Sequence, residues 1–404
     1  MSKFNTLYLT KLHLKGYKSI LDCEFELKNG LNIIIGKNGA GKSNLFEFIE
    51  NVVSEYRLEK NFKYSKLDFS SVNKNNFTLE YERIVSDAEQ YKEGLASRFE
   101  LTRFFSINGR KKLKDILGTS SKNKIEFESQ KSNLSESLFQ FFYKLKYLYP
   151  YCTSIKYNLP KNLFYVNKPG SITIDLADNL WDVSNTLSFI HNIFLDMEID
   201  DTLNLNKTNS DNLDFTEIDI DSINYNEFID NIVIPSEILE NLRLFSPIKD
   251  LKFSKNITVY VDENNYTIEN LKLEFLINDS WLTWSQLSDG SKRLFYLITE
   301  ITENDGLILI EEPELGIHPH QFELLMDFIK QQSETKQILI STHSPKALDH
   351  LNKDELGNIL IASYEKGKGT QVRNLTDEQI QNASKYMDEV AFLSDYWLMS
   401  DLEE

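Results

Sequence analysis

Residues 31–56 combine an apolar run, a glycine-rich turn and an amphipathic pattern. The run Leu31–Ile35 (LNIII) predicts a buried strand, and the turn Gly36–Ser43 (GKNGAGKS) follows it directly. Apolar residues then recur at helical spacing, at Leu45, Phe48, Ile49, Val52 and Tyr56. Strand, glycine-rich turn and helix in this order predict a phosphate-binding loop that holds a nucleoside triphosphate.

The chemistry of such a loop assigns a role to each type of residue in it. The glycines let the backbone fold around an anion with its N–H groups turned inward, and the following helix presents its positive dipole end to the same phosphates. Lys42 is expected to reach the β- and γ-phosphates of ATP, and Ser43 to ligate Mg²⁺. The predicted nucleotide-binding residues are Gly36, Asn38, Gly39, Gly41, Lys42, Ser43 and Asn44.

A second buried strand is predicted where Gly306–Ile310 (GLILI) ends in Glu311 and Glu312. In parallel α/β sheets, functional groups collect at the carboxyl ends of the strands. Successive strand residues point to opposite sides, so the two glutamates are expected to do different work. We expect Glu311 to belong to the Mg²⁺ shell and Glu312 to orient or deprotonate the attacking water.

A third buried strand, Gln337–Thr342 (QILIST), ends at His343. A histidine at this edge can hydrogen-bond the γ-phosphate or the attacking water. Because it follows Glu312 on the next predicted strand, His343 is predicted to sense the terminal phosphate.

The turn Leu287–Ser291 (LSDGS) precedes a helical pattern formed by Leu294, Leu297, Ile298 and Ile301. One interpretation is a helix cap, in which Ser288 or Asp289 bonds to the first turn. In the other, the Ser288 hydroxyl, the Gly290 amide and the helix dipole form a second anion site. Two anion sites on opposite sides of one γ-phosphate are difficult for a single subunit to supply. The second interpretation therefore predicts a symmetric dimer in which each copy completes the site of the other.

Composition limits the partners of this chain. A formal net charge of −18 and a pI near 4.9 argue against a protein that coats nucleic acid, so any DNA contact must be local. No run of eighteen apolar residues and no apolar signal core is present, which predicts a cytoplasmic protein with no membrane contact. Cys23 and Cys152 form neither a CxxC pair nor a zinc spacing and are expected to be buried thiols.

The motifs together resemble the heads of ABC-type ATPases of the chromosome-maintenance, recombination-repair and overcoming-lysogenisation-defect group. The resemblance lies in the phosphate loop, Leu287–Gly290 (LSDG), Glu311–Pro319 (EEPELGIHP) and Ser341–Pro345 (STHSP). These motifs are similar to those of the branch that includes ATP-binding subunits of bacterial anti-phage systems. Glu311 stands where most such ATPases have aspartate, and no glutamine loop is identified.

The resemblance implies an α/β fold: a P-loop NTPase, or ABC ATPase-like head, with a mainly helical insertion. Residues 1–128 and 251–404 are expected to form the discontinuous head, and 129–250 an inserted, acidic subdomain. The acidic segment Asp196–Asp230 is either a solvated element or a docking face for a basic partner. The basic cluster Arg110–Lys114, with Lys122 and Lys124, is either a solvated loop or a local DNA contact. The apolar tail Val390–Met399 either packs on the head or serves as a docking peptide.

Three functions remain open at this point. The leading hypothesis is a Mg²⁺-dependent ATPase that forms a homodimer or a higher even oligomer on ATP and serves a separately encoded effector, a nuclease or a toxin, in phage defence. About sixty residues follow His343, too few for a Toprim nuclease domain, so if the protein contributes to DNA cleavage, the nuclease is expected to be another chain. The second hypothesis is a DNA-repair or chromosome-maintenance ATPase that loads on DNA. The third is a nucleotide-locked inhibitor that sequesters a toxin.

Overall fold

A computed structural model describes fourteen segments of the chain. They are residues 7–53, 62–71, 76–85, 99–107, 111–117, 145–148, 164–167, 171–173, 236–253, 258–261, 265–269, 273–304, 306–390 and 392–400.

Nineteen strands lie in these segments. They are β1 (Leu7–Tyr17), β2 (Ile20–Glu26), β3 (Leu31–Ile35), β4 (Tyr64–Ser71), β5 (Asn76–Val85), β6 (Phe99–Ile107), β7 (Lys111–Leu117), β8 (Lys146–Leu148), β9 (Phe164–Asn167), β10 (Ser171–Thr173), β11 (Asp250–Phe253), β12 (Thr258–Val261), β13 (Asn265–Glu269), β14 (Leu273–Ile277), β15 (Ser280–Thr283), β16 (Ile308–Glu311), β17 (Ile338–Thr342), β18 (Ile359–Glu365) and β19 (Gly369–Asn374).

The same segments contain six α-helices and three short 3₁₀ helices. The α-helices are α1 (Lys42–Val53), α2 (Ser236–Phe245), α3 (Asp289–Glu303), α4 (Pro319–Gln332), α5 (Asp377–Glu389) and α6 (Leu393–Met399). The 3₁₀ helices are Trp284–Gln286, Pro345–His350 and Lys353–Asn358.

The chain divides into two compact units, each discontinuous in sequence. The first contains Met1–Pro150, Asn304–Leu315 and Ile329–Glu404, and the second contains Tyr151–Glu303 and Gly316–Phe328. The phosphate loop and the ends of β16 and β17 belong to the first unit. The turn that carries Ser288 and Gly290 belongs to the second.

A twelve-stranded mixed sheet dominates the first unit, in the order β7-β6-β5-β4-β1-β2-β19-β18-β3-β17-β16-β8. The five strands from β18 to β8 are parallel, whereas the strands from β7 to β19 pair antiparallel. The strands β3, β16 and β17 are buried at every position, as their apolar sequences predict for strands that are covered on both faces. The predicted α/β fold of P-loop NTPase type is confirmed.

Helix α1 packs its apolar side into the core of the first unit. Leu45, Phe48, Ile49 and Val52, predicted from their helical spacing, are at most 1% exposed. Burying one such side chain contributes about 1.5–3 kcal/mol to folding. The helix that carries the phosphate loop is therefore firmly fixed to the sheet.

The second unit contains a three-stranded sheet, β11-β14-β15, and a four-stranded sheet, β10-β9-β13-β12. Helix α3 carries the predicted apolar residues Leu294, Leu297, Ile298 and Ile301, all fully buried. It packs on α2, where Asn241 Nδ2 donates a hydrogen bond of 3.0 Å to Thr302 Oγ1.

The unit boundaries differ from those that the sequence suggested. Strand β8 lies within the range assigned to the insertion, yet it pairs with β16 in the sheet of the first unit. The second unit also extends past residue 250 to Glu303, because β14, β15 and α3 belong to it. Within 129–250, the described segments contain strands β9 and β10 as well as helix α2.

Several predicted features lie outside the described residues. These are Tyr56, Arg110, Lys122, Lys124, Cys152 and the acidic segment 196–230. Of the basic cluster, residues 111–114 form part of β7. Cys23 is a buried free thiol, and burial raises its pKa to about 11. No helix in the described part of the chain is long and apolar enough to cross a membrane.

Candidate functional site

The glycine-rich turn between β3 and α1 needs glycine for two different reasons. The φ angles of Gly39 and Gly41 are +82° and +92°, a region that other residues rarely adopt. A Cβ on Gly36 would lie 2.0 Å from the carbonyl oxygen of Ala362, which has no room to move in β18. The loop therefore takes its shape from backbone freedom at two positions and from close packing against β18.

A hydroxyl network supports the far side of the loop. The hydroxyls of Ser19 and Thr370 lie 2.7 Å apart, and Asn44 Nδ2 donates a hydrogen bond of 2.7 Å to Ser19 Oγ. A Cβ on Gly41 would lie 2.0 Å from Thr370 Oγ1. Asn44 therefore contributes a side-chain contact that braces the loop, and Ser19 and Thr370 join the predicted residues as its support.

Lys42 folds back over the turn. Its Nζ donates hydrogen bonds to the carbonyl oxygens of Gly36, at 2.6 Å, and Lys37, at 3.1 Å, and the residue is only 6% exposed. The concave surface formed by residues 38–44 is closed on one side by Glu312. The Lys42 side chain, the backbone of the loop and the start of α1 line this depression, and turns of this kind bind polyphosphates through their backbone N–H groups.

The register of the parallel strands brings the predicted groups to one edge of the sheet. Glu311 of β16 is level with Ser341 of β17, and Thr342 is level with Ile35, the last residue of β3. Ser43 Oγ donates a hydrogen bond to Glu311 Oε1. Two residues that are 268 positions apart in sequence thus meet beside the loop.

Tyr147 is a member of this site that the sequence did not reveal. Its hydroxyl donates a hydrogen bond to Glu311 Oε2, so both oxygens of the Glu311 carboxylate have a partner. The ring packs edge-on against Phe46 of α1, with centroids 5.8 Å apart. The sequence signal for Tyr147 was weak, because β8 has only three residues. Strand β8 is also far from β16 in sequence and meets it only by pairing in the sheet.

Glu312 leaves the strand rather than continuing it. Strand β16 ends at Glu311, and Glu312 has a left-handed backbone with φ of +45°. Such a conformation costs a non-glycine residue about 1–2 kcal/mol, and it tends to persist at functional sites. The different directions of Glu311 and Glu312 thus arise from this backbone turn, not from the strand alternation that we expected.

His343 lies directly after β17 and faces two carboxylates. Its Nδ1 is 3.8 Å from Glu312 Oε1 and 3.2 Å from Glu314 Oε1, and its side chain is 44% exposed. The predicted pair of Glu312 and His343 is therefore adjacent in space. In the sequence, Glu314 was noted only within the run Glu311–Pro319, and it is the nearer of the two carboxylates to His343.

The residues at this edge suit Mg²⁺ better than a metal that needs a protein cage. Mg²⁺ is usually held by one or two carboxylates together with phosphate oxygens and waters. Ser43 and Glu311 offer hard oxygen donors in contact with each other, and Ser341 Oγ beside them is buried without a hydrogen-bond partner among the described residues. Among the described residues, no group of three or more His, Cys, Asp or Glu side chains could hold a metal ion.

The turn at Ser288 is a helix cap. Ser288 Oγ accepts a hydrogen bond of 3.1 Å from the backbone N–H of Ser291 and lies 2.9 Å from Ser291 Oγ. Gly290 is tightly packed, since a Cβ there would lie 2.9 Å from the carbonyl oxygen of Gly316. The hydrogen bond from Ser291 confirms the capping interpretation. Ser288 is also exposed, so the cap does not exclude a second anion site at this turn.

Comparison with known proteins gives one family match over most of the chain. A family model described as "AAA domain, putative AbiEii toxin, Type IV TA system" matches residues 31–349. The chromosome partition protein Smc of Desulfitobacterium hafniense (strain Y51) is 29% identical in an alignment over 122 residues, and the match covers 24% of this chain. The match spans only 10% of the length of that relative.

Solved structures of SMC heads are also similar. The SMC head bound to the C-winged helix domain of ScpA aligns with 92% of this chain and 99% of its own, at 15% identity and a TM-score of 0.46. The SMC head domain from Thermotoga maritima aligns with 91% of this chain and 99% of its own, at 11% identity and a TM-score of 0.41.

Proposed function

This chain belongs to the family described as "AAA domain, putative AbiEii toxin, Type IV TA system", and on that premise we propose that it hydrolyses ATP with Mg²⁺. The observation that carries this proposal is the contact between Ser43 and Glu311. It joins the phosphate loop to a carboxylate at the end of β16, which is separated from β3 in the sheet by β17. A polyphosphate in the loop would thus lie beside oxygen donors for its counterion.

Each residue of the site has a distinct task in the proposed reaction. The loop amides and Lys42 bind the phosphates, while Ser43 and Glu311 would hold Mg²⁺, which neutralises charge on the phosphate oxygens. Glu312 borders the same depression and is the candidate base for the attacking water. His343, next to Glu312, is the candidate contact for the γ-phosphate.

We further propose that two copies close head to head on two ATP molecules. Ser288 and Gly290 begin α3, whose N-terminal amides and dipole favour an anion. Ser288 Oγ accepts the capping hydrogen bond from the backbone N–H of Ser291, and the residue is exposed, so its hydroxyl can reach a second partner. In a symmetric dimer this turn would cover the nucleotide of the other copy.

A separately encoded partner protein is also part of the proposed function. The family description names a putative toxin and a type IV TA system. None of the motifs identified in this sequence is that of a nuclease. We propose that the ATPase acts as sensor and scaffold for a separately encoded effector, a nuclease or a toxin, in phage defence. DNA contact is expected only locally, given the net charge of −18.

Hydrolysis and nucleotide trapping test the enzymatic part. Glu312→Gln should lower kcat about 10²–10⁴-fold while ATP stays bound, because it removes the base and keeps the size of the side chain. The protein should then sediment or elute as a dimer with ATP and as a smaller species with ADP. Unchanged turnover in the variant would remove Glu312 from the reaction.

A mixing experiment tests the shared site. Ser288→Arg and Lys42→Ala should each be inactive alone, for different reasons. If sites are shared, randomly mixed variants place one intact site in half of the dimers, which restores about 25% of wild-type turnover. Absence of any recovery in mixtures that do form heterodimers would rule out a trans contribution by Ser288.

The family description also favours a second candidate, in which this chain is itself the toxic component. Controlled expression in a bacterial host without any companion gene would then arrest growth. Lys42→Ala should abolish the arrest if toxicity needs the nucleotide. Normal growth at full expression of the wild type would leave the scaffold role as the better proposal.

A further inference from the structure

We propose that Glu314 is a positioning residue that fixes the ring of His343, so that Nε2 of the imidazole faces the nucleotide. The inference rests on the proposed ATPase function, and it adds a residue that acts through His343 rather than on the phosphate itself. It explains why a second glutamate follows Glu312 after a single proline.

The carboxylate of Glu314 gathers three groups from the end of β17 on one oxygen. Oε1 accepts a hydrogen bond of 2.6 Å from Thr342 Oγ1 and one of 3.2 Å from the backbone N–H of His343. The same oxygen lies 3.2 Å from His343 Nδ1. The backbone nitrogen and the ring Nδ1 of His343 therefore both lie 3.2 Å from one carboxylate oxygen.

The turn after β16 brings Glu314 to this position. The left-handed backbone of Glu312 reverses the chain, and the backbone N–H of Leu315 closes the turn with a hydrogen bond of 3.0 Å to the Glu312 carbonyl oxygen. The backbone N–H of Glu312 in turn bonds to the carbonyl oxygen of Ser341 at 2.8 Å. The turn that begins at Glu312 thus brings the Glu314 carboxylate next to His343.

A carboxylate on Nδ1 decides which ring nitrogen carries the proton. An ionised carboxylate only accepts hydrogen bonds, so the contact favours the form with a proton on Nδ1. Nε2 is then the nitrogen left for the γ-phosphate or the attacking water. Glu312 Oε1 is farther from Nδ1, at 3.8 Å, so Glu314 is the nearer of the two carboxylates.

The two partners of this contact differ in their exposure to solvent. The Glu314 side chain is 13% exposed, whereas the His343 side chain is 44% exposed. Oε2 of Glu314 is buried with no hydrogen-bond partner among the described residues. The Glu314 carboxylate is therefore largely shielded from water, while the His343 ring is partly exposed to solvent.

A double-mutant cycle in full-length protein tests the coupling. With ATP and Mg²⁺, Glu314→Ala should lower kcat about tenfold or more and change KM less than about threefold. Glu314→Gln keeps an acceptor at Oε1 and should retain most of the turnover. In a His343→Ala background, Glu314→Ala should have no further effect on kcat.

A purely structural role gives a different result. In that case, Glu314→Ala would lower kcat by the same factor with and without His343, which would overturn the proposal. Glu355→Gln serves as the matched control, because Glu355 is also a partly buried glutamate and pairs with Lys330 away from the site. It should reduce thermal stability and leave kcat unchanged.

Nitrogen NMR on histidine tests the proposal without any turnover. The chain has six histidines, so ¹⁵N-histidine labelling and a His343→Ala spectrum identify the His343 signals. Wild-type protein should show the proton on Nδ1, and Glu314→Ala should shift it toward Nε2. Unchanged nitrogen shifts in Glu314→Ala would refute the positioning role. A wild type that does not hydrolyse ATP would refute the proposed function alone, and the spectra would still decide on Glu314.

Discussion

Ser43 Oγ donates its hydrogen bond to Glu311 Oε1, and this contact joins the start of α1 to the end of β16. Both side chains offer oxygen atoms to the same point beside the phosphate loop. Tyr147 holds the second oxygen of Glu311, so the carboxylate has a defined orientation. The proposed Mg²⁺ site is thus ordered by the protein before any nucleotide binds.

Glu311→Gln should weaken the use of Mg²⁺ without preventing ATP binding. Glutamine keeps an acceptor for Ser43 but lacks the negative charge that attracts a divalent cation. We expect the Mg²⁺ concentration for half-maximal hydrolysis to rise at least about tenfold. Mg²⁺ titrations of turnover measure this, and ATP binding in EDTA should match the wild type. An unaltered Mg²⁺ requirement would place the metal elsewhere.

The glycines of the loop should respond differently to alanine. Gly39→Ala introduces only an unfavourable φ, since a Cβ there meets nothing within 4 Å. Gly36→Ala introduces only a clash, with the backbone of Ala362. We expect Gly39→Ala to cost about 1–2 kcal/mol of stability and Gly36→Ala more than that. Urea unfolding compares them, and equal losses would contradict the packing of the loop against β18.

Tyr147 can be separated into its ring and its hydroxyl. Tyr147→Phe keeps the contact with Phe46 and removes the donor to Glu311, so we expect a stability change within about 1 kcal/mol and a loss of kcat of about 3–10-fold. Tyr147→Ala also removes the ring and should cost about 3–5 kcal/mol. Steady-state kinetics and thermal unfolding measure the two effects. Full activity of Tyr147→Phe would show that Glu311 needs no support from β8.

The ion pair between Lys330 and Glu355 predicts an acid-sensitive part of the stability. Burial raises the pKa of Glu355, but the hydrogen bonds from Lys330 and Asn352 outweigh it and the pKa is lowered overall. A lowered pKa in the folded state stabilises the protein above the unfolded pKa near 4.5, and this contribution is lost as the pH falls through the folded value.

Lys330→Met tests this dependence. At pH 7 the variant should be less stable by about 1 kcal/mol, and the difference from the wild type should shrink between about pH 5 and pH 3. Unfolding by urea at several pH values measures it. A difference that stays constant over this range would mean that Lys330 stabilises α4 by packing rather than by its charge.

The central strands and their motifs could be predicted because each carries its own local signal. Apolar and polar residues do not alternate along β3, β16 and β17, and each strand is followed by, or ends in, a polar side chain or a glycine-rich turn. The parallel order of these strands then brings Ser43, Glu311, Glu312 and His343 to one edge. The fold class and the neighbourhood of the loop followed from those patterns.

The supporting residues could not be predicted in the same way. Tyr147 lies on a strand of three residues, which is too short for a period to be visible. Glu314 acquires its role only from the left-handed backbone at Glu312, and no local pattern predicts a positive φ at a glutamate. Thr370 reaches the loop across 351 positions from Ser19, through sheet pairing alone.

The order of strands around β3 also has a consequence during protein synthesis. On one side β3 pairs with β17 and on the other with β18, and both arise from residues beyond 337. While the ribosome is still translating the earlier codons, the strand that leads into the phosphate loop has neither neighbour. In a nascent chain, β3 therefore lacks both flanking strands until residues beyond 337 have emerged, which leaves a long interval in which chaperones can cover its exposed apolar side chains.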